Sequence, residues 1–180
     1  MPGPIFRRGE HVDLRTEEEE DVEFLQRLSN DPRIRWGLTT NAPQNGHAAE
    51  QAFERHSENT DEAVGLVISP AGESRAVGKV VVFDIDDAHG TAELACYVDP
   101  DEQGNGYGSA GTELMVEYAF AERRLHKLRA RAIAPNDASQ ATLESIGFTQ
   151  EGIQRDEKFV QGEHVDVVLY GLLASEWGDR

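Results

Sequence analysis

A glycine-rich segment between a predicted strand and a predicted helix constrains the fold of this chain more than any other feature. The segment reads Gln-Gly-Asn-Gly-Tyr-Gly over 103–108; an extended, apolar pattern precedes it at 91–98, and a helical pattern follows at 109–124. Glycines at such a turn allow positive φ angles and let a ligand approach the backbone closely. Because successive N–H groups at a helix N-terminus attract anions, we expect a phosphate or pyrophosphate to bind here. The residues expected to bind it are Gln103, Gly104, Asn105, Gly106, Tyr107, Gly108 and Ser109.

Other interpretations of the same glycines are weaker. Gly106, Gly108 and Gly111 match the dinucleotide-binding fingerprint, but a Rossmann unit needs an acidic residue about 20 residues further on, at the end of its next strand. The next predicted strand, 127–134, is basic and ends before Pro135. A P-loop needs Lys followed by Ser or Thr after its last glycine, and the segment lacks that pair. A purely structural glycine-rich turn stays open as an alternative.

The order of the other predicted elements indicates a mixed α/β (α+β) fold in a single domain over 1–180. Valine-rich runs separated by turns predict antiparallel hairpins, and a strand–helix–strand–helix order follows them. The predicted strands are 11–15, 63–69, 75–85, 91–98, 127–134 and 165–173, and the predicted helices are 16–30, 50–58, 109–124 and 137–146.

Two helices carry more detailed expectations. Thr16 and Glu19 have the spacing of a capping box, which predicts that the first helix begins at Thr16. In the helix at 109–124, the spacing of Ala110, Leu114 and Tyr118 predicts one buried face.

The net charge of −17, from 34 acidic and 17 basic residues, limits the partners of the chain. It argues against direct nucleic-acid binding and against anionic membranes, because both need a basic face. Abundant acids with only three lysines favour a halophilic protein of a high-salt cytoplasm, although an acidic surface can also steer cationic substrates. The sequence has no signal-peptide pattern and no apolar run near the roughly 20 residues that span a bilayer, so we expect a soluble, cytoplasmic protein.

Metal chemistry is not expected. Cys96 is the single cysteine, which predicts no internal disulfide and no cysteine-based zinc site, and we interpret it as a small buried hydrophobic residue. The histidines show no metal-ligand spacing, and surface placement is the expectation for His11, His47, His56, His89 and His164.

The motif Gln103-x-x-Gly106-x-Gly108 resembles the acetyl-CoA signature of the GNAT acetyltransferases. Four further segments, in the same order along the chain, resemble the RimJ/RimL-like subfamily: Val12–Arg15, Ala92–Pro100, Asn136-x-x-Ser139 with Gly147-Phe148, and Asp166–Leu173. The resemblance implies a GNAT-like mixed, mostly antiparallel, splayed central sheet flanked by helices. It also implies acetyl-CoA as the cosubstrate, with no metal.

In that fold, the strands at 91–98 and 127–134 part to form a V that receives the pantetheine arm of the cosubstrate. The resemblance implies that the backbone of Cys96, Tyr97 and Val98 pairs with this arm. Asn136 would hydrogen-bond the pantetheine amides, and its alternative role is the N-cap of the following helix.

The resemblance also supplies catalytic candidates. Glu93 is the candidate general base, since a substrate ammonium must lose a proton before attack; its alternative is a solvent-facing carboxylate or one paired with an arginine. Ser139 would donate a hydrogen bond to the leaving thiolate, and its alternative is an ordinary first-turn serine. Many family members place a tyrosine four residues later, where this chain has Leu143.

The acceptor is the least constrained part of the expectation. By resemblance it is a protein N-terminal amine, such as that of a ribosomal protein. The alternatives are a small-molecule amine (amino acid, polyamine or antibiotic) and a non-catalytic acyl-CoA-binding module. The implied fold permits a homodimer, and the sequence leaves the oligomeric state open.

Overall fold

Eight strands and five α-helices make up the part of the chain that the computed structural model describes, residues 2–38, 42–58 and 61–178. The strands are β1 (Ile5–Arg8), β2 (Val12–Thr16), β3 (Val64–Pro70), β4 (Gly78–Asp86), β5 (Thr91–Val98), β6 (Lys127–Ile133), β7 (Thr149–Val160) and β8 (Glu163–Leu173). The helices are α1 (Val22–Asn30), α2 (Gly46–Phe53), α3 (Tyr107–Ala121), α4 (Asp137–Ile146) and α5 (Ala174–Gly178). Short 3₁₀ segments lie at Glu19–Asp21 and Pro100–Glu102, and a π-helical turn lies at Glu54–Glu58.

All eight strands belong to one sheet, in the order β1-β2-β3-β4-β5-β6-β8-β7. Neighbouring strands are antiparallel except β5 and β6, which are parallel and are connected through α3. A parallel pair needs such a crossover connection, whereas antiparallel strands can be joined by tight turns. The predicted mixed, mostly antiparallel sheet with flanking helices is confirmed.

Strands β5 and β6 are paired only near their beginnings. The parallel register contains three pairs and ends at Glu93 and Arg129. Beyond that point β5 remains paired with β4 as far as Val98, and β6 remains paired with β8 as far as Ile133. The two strands therefore form the sides of a V, which is the splay expected at this place.

The main core lies on the sheet face covered by α3 and α4. Ala92 and Leu94 of β5 point into it together with Met115 of α3 and Ile146 of α4. Alternate residues of a strand share a face, so Glu93 and its neighbours at odd positions point to the opposite side. That opposite side is bordered by α1 and α2.

Helix α3 begins at Tyr107, two residues before the predicted start. Its fully buried face is also different: Ala110, Leu114 and Tyr118 are only partly buried. The fully buried residues of α3 are Gly111, Thr112, Met115, Val116 and Ala119. Because α3 carries apolar side chains on most of its surface, spacing alone does not identify the face that packs on the sheet.

The predicted capping box of Thr16 and Glu19 is wrong. Thr16 is the last residue of β2 and is paired with Leu66 of β3, so the chain is still extended there. The reciprocal contact lies two residues later: the Glu18 N–H donates to the Asp21 carboxylate (3.1 Å), and the Asp21 N–H donates to the Glu18 carbonyl (2.9 Å).

Two further observations complete the fold. Strand β1, which the sequence pattern does not predict, forms the edge of the sheet beside β2. None of the helices in the described ranges is long and apolar enough to cross a membrane.

Candidate active site

The glycine-rich turn presents the N-terminus of α3 at the open end of the V. Gly104 and Gly106 have φ angles of +81° and +77°, a region that side-chain-bearing residues rarely adopt. Gly106 is the N-cap residue, and the helical ladder begins with the bond from the Ala110 N–H to the Gly106 carbonyl (3.0 Å). The N–H groups of Tyr107, Gly108 and Ser109 precede that bond, at the positive end of the helix dipole. This turn fits the pyrophosphate of a nucleotide cosubstrate.

Gly108 has a different role from the two glycines before it. A Cβ atom at this position would lie 3.3 Å from Cγ2 of Val98 and 4.0 Å from the Cys96 sulfur. The Cys96 sulfur itself lies 3.7 Å from the Gly108 carbonyl oxygen. Gly108 therefore allows the first turn of α3 to pack closely on the end of β5. Burial against this turn raises the pKa of the Cys96 thiol to about 11, although part of the residue is exposed.

The V exposes one edge of β5. Residues after Glu93 are paired on one side with β4, from Leu94 opposite Val82 to Val98 opposite Gly78. Because a strand directs its N–H and C=O groups alternately to both neighbours, the other edge of Cys96, Tyr97 and Val98 faces the V. An extended chain with amide groups, such as pantetheine, can pair with this edge as an additional strand.

Glu93 stands at the vertex of the V, where the parallel pairing ends. Its carboxylate accepts two hydrogen bonds from Arg131, from Nε at 2.7 Å and from Nη2 at 2.8 Å. The Glu93 side chain is 15% exposed and the Arg131 side chain 46% exposed. The hydrogen bond to Glu93 raises the pKa of Arg131, and Asp84 and Glu157 also act on this guanidinium. The structure therefore has the arginine pairing that the sequence leaves open for Glu93.

Asn136 and Ser139 lie together at the start of α4. The Asn136 side-chain oxygen accepts a hydrogen bond from the Ser139 N–H (3.2 Å), so Asn136 is the N-cap. Its amide nitrogen lies 3.2 Å from the position of a Cβ atom at Gly37, in the segment after α1. Leu143 is buried in the core. It stands at the position where the resemblance places a tyrosine in many family members.

Comparison with known protein families agrees with this geometry. The family described as "Acetyltransferase (GNAT) domain" matches residues 11–149 of the chain. The chain belongs to the GNAT acetyltransferase family. Its activity is acetyl-CoA-dependent N-acetyl transfer, and acetyl-CoA is its cosubstrate. The non-catalytic alternative, the Rossmann interpretation and the P-loop interpretation are set aside on this ground.

Relatives within this GNAT family differ in their acceptors. "Putative ribosomal N-acetyltransferase YdaF" of Bacillus subtilis is 27% identical over 176 residues, which cover 93% of this chain and 94% of YdaF. The spermidine N(1)-acetyltransferase of Vibrio cholerae is 25% identical over 167 residues, covering 93% of this chain and 95% of the relative.

Solved structures share the fold. The spermidine N-acetyltransferase of Vibrio cholerae in complex with CoA and spermine has a TM-score of 0.87 at 24% identity, covering 94% of this chain and 99% of that chain. A structure named as a probable acetyltransferase has a TM-score of 0.81 at 27% identity, and the match covers 98% of this chain and 99% of that chain.

Two ion pairs that the sequence does not predict connect the α1 region of this GNAT enzyme to the segment before the glycine turn. Arg27 of α1 bonds Asp99 at 2.8 Å, and Arg33 bonds Asp101 at 2.6 Å. Arg33 also donates to Asp31, which lowers the pKa of that carboxyl to about 2. The segment that lies beside Asn136 at Gly37 is thus attached to the residues that lead into the glycine-rich turn. No sequence signal marks these pairs, because their partners are far apart along the chain.

A buried ion pair lies beneath α1 and α2, on the Glu93 side of the sheet. Lys79 and Glu17 are in hydrogen-bond contact, with side chains 3% and 1% exposed. They border a cavity of about 340 Å³ together with Tyr97 and His56. Burial raises the pKa of Tyr97 and lowers that of His56 to about 4. The expected surface position of His56 is therefore not observed, since the residue is partly buried against β3.

Within residues 2–38, 42–58 and 61–178, no group of three or more His, Cys, Asp or Glu side chains is placed to hold a metal ion.

Proposed function

We propose that this GNAT enzyme acetylates the N-terminal amine of a protein or peptide, as the RimJ/RimL-like resemblance implies. The observation that carries the proposal is the position of Glu93. It lies at the vertex of the V beneath an arginine that is nearly half exposed, so a chain end can approach the vertex from solvent. The similarity to YdaF over 93% of the chain supports the same acceptor class.

The proposed chemistry uses groups on both walls of the V. Glu93 accepts a proton from the acceptor ammonium, which leaves a neutral amine to attack the thioester carbonyl. A C–N bond forms, the nitrogen releases its surplus proton to solvent, and the C–S bond breaks, so the leaving sulfur gains an electron pair. Ser139, in the first turn of α4, donates a hydrogen bond to that sulfur while solvent supplies the proton. Arg131 orients the Glu93 carboxylate before the acceptor binds.

The enzyme's second candidate acceptor is a polyamine. Three carboxylates, those of Glu93, Asp84 and Glu157, act on the guanidinium of Arg131. Such a surface attracts an acceptor with several ammonium groups. The similarity to a spermidine N(1)-acetyltransferase over 93% of the chain supports this candidate.

A thiol-release assay separates the two acceptors. We would measure CoA release from acetyl-CoA with a set of short peptides, with the same peptides N-formylated, and with spermidine. The proposal expects turnover with free N-termini, loss of turnover on formylation, and a lower kcat/KM for spermidine. A kcat/KM for spermidine about tenfold above that of every peptide would replace the peptide acceptor with a polyamine.

A further inference from the structure

His11, the residue before β2, lies against the glycine-rich turn. Its Nε2 atom is 2.6 Å from the carbonyl oxygen of Asn105, and its ring centroid is 5.2 Å from that of Tyr107. A Cβ atom at Gly106 would lie 3.6 Å from the same Nε2 atom. One imidazole therefore contacts Asn105 and Tyr107 and lies beside Gly106, although it is 94 residues away from Asn105 in the sequence.

The hydrogen bond determines the direction of one peptide group. A carbonyl oxygen only accepts, so Nε2 carries the hydrogen in this contact. In a trans peptide the carbonyl and the following N–H point in opposite directions. Since the Asn105 carbonyl points toward His11, the Gly106 N–H points away from it.

This peptide group needs an external contact to keep its orientation. Gly104 and Gly106 flank Asn105, and both have positive φ angles. Glycine adopts several backbone conformations at similar free energy, so the 105–106 peptide can rotate more easily than one between bulkier residues. Within the turn, the Asn105 side chain bonds the Glu102 carbonyl (3.0 Å), which holds the side chain and not the peptide plane.

We propose that His11 is a positioning residue for the cosubstrate: it holds the 105–106 peptide so that the Gly106 N–H faces the pyrophosphate of acetyl-CoA. The inference rests on the use of this turn for acetyl-CoA. It assigns His11 to the phosphate end of the ligand, so the thioester end does not depend on it. A general structural role would instead affect every thioester substrate alike.

The test compares two thioesters and two variants. S-Acetylpantetheine has the reacting end of acetyl-CoA without the pyrophosphate. His11→Gln keeps an N–H donor at the position of Nε2, whereas His11→Phe keeps the ring beside Tyr107 and removes the donor. Equal melting temperatures would establish that both variants fold, as expected for an exposed residue.

We expect His11→Phe to raise the dissociation constant for acetyl-CoA by about 3- to 10-fold, the range for one lost hydrogen bond. His11→Gln should stay within about twofold of the wild type, and kcat/KM for S-acetylpantetheine should be unchanged in both. Wild-type affinity of His11→Phe for acetyl-CoA would overturn the inference, and so would equal losses for both thioesters. Absence of acetyl-CoA binding by the wild type would instead overturn the use of the turn by acetyl-CoA, and this inference with it.

Discussion

Glu93 and Arg131 bridge the V just beyond the point where its strands separate. Glu93 has Arg129 as its last parallel partner, yet its carboxylate bonds Arg131, two residues further along β6. The two hydrogen bonds, of 2.7 and 2.8 Å, fix both carboxylate oxygens. Bidentate pairs of this kind are geometrically specific, so the candidate base has a defined position before any acceptor binds.

Replacing the candidate base should affect turnover and leave cosubstrate binding intact. We expect Glu93→Gln to lower kcat by about 10²- to 10⁴-fold, the usual contribution of a general base, with an unchanged dissociation constant for acetyl-CoA. Glu151→Gln is the matched control, because Glu151 also pairs with a β6 cation, Lys127 at 2.6 Å. The rate of CoA release measures kcat, and calorimetric titration measures the dissociation constant for acetyl-CoA. Wild-type kcat in Glu93→Gln would remove Glu93 from the mechanism.

The glycine-rich turn can be tested against another glycine with the same backbone geometry. Gly106 (φ +77°) and Gly72 (φ +79°) would both place a new Cβ without close contact, so valine at either should cost similar stability, at least about 1–2 kcal/mol. We expect only Gly106→Val to weaken acetyl-CoA binding, by about tenfold or more. The reason is that N–H groups of the turn would lose their hydrogen bonds to the charged pyrophosphate. Equal affinity of the two variants, measured by calorimetry, would mean that the turn is structural.

The thiol of Cys96 should be unreactive at neutral pH. Its pKa is raised to about 11, so the thiolate, which is the reactive form, becomes abundant only as the pH approaches 11. We expect a disulfide reagent at pH 8 to react at least about 100-fold more slowly with the folded protein than with the unfolded protein. Rapid stoichiometric labelling of folded protein at pH 8 would contradict the burial of this sulfur.

The buried pair of Lys79 and Glu17 should show strong coupling. Removing one partner leaves the other buried charge without this counter-ion, so Glu17→Leu or Lys79→Met should each cost about 3–5 kcal/mol of unfolding free energy. The double variant Glu17→Leu/Lys79→Met should regain most of that loss. Urea unfolding measures all three, with Glu151→Gln as an exposed-pair control costing below about 1 kcal/mol. Additive losses in the double variant would show that the two side chains act independently.

Salt should stabilise this acidic chain. With a net charge of −17, self-repulsion is strongest when screening is weakest, and the Debye length falls from about 30 Å at 0.01 M salt to about 3 Å at 1 M. We therefore expect the melting temperature to rise steadily from tens of millimolar to molar KCl, with unfolding at the low end if the protein is halophilic. A melting temperature independent of KCl concentration would count against a high-salt origin of this composition.

Local features were the most predictable from sequence. The glycine-rich turn, strand β5 and the end of α4 at Gly147 depend on residues within a few positions of each other, and β5 lies at the predicted bounds. Strand β1 was not predictable, because its four residues are ordered by pairing with β2 and carry little pattern of their own.

Contacts between distant residues account for what the sequence could not provide. Glu93 and Arg131 are 38 positions apart, and an arginine partner was an open alternative with no residue assigned. His11 was expected only to lie at the surface; it is exposed, but the tertiary fold also places it on the glycine turn. The capping box at Thr16 failed because strand pairing with β3 overrides the local preference to start a helix.

The short parallel register between β5 and β6 has a consequence for hydrogen exchange. Only three residue pairs join the five-stranded N-terminal half of the sheet to the three-stranded C-terminal half. A ligand that pairs with β5 inside the V and also contacts α4 links these halves in the way that further backbone hydrogen bonds would. Saturation with acetyl-CoA should therefore slow amide exchange in β8 as well as in β4.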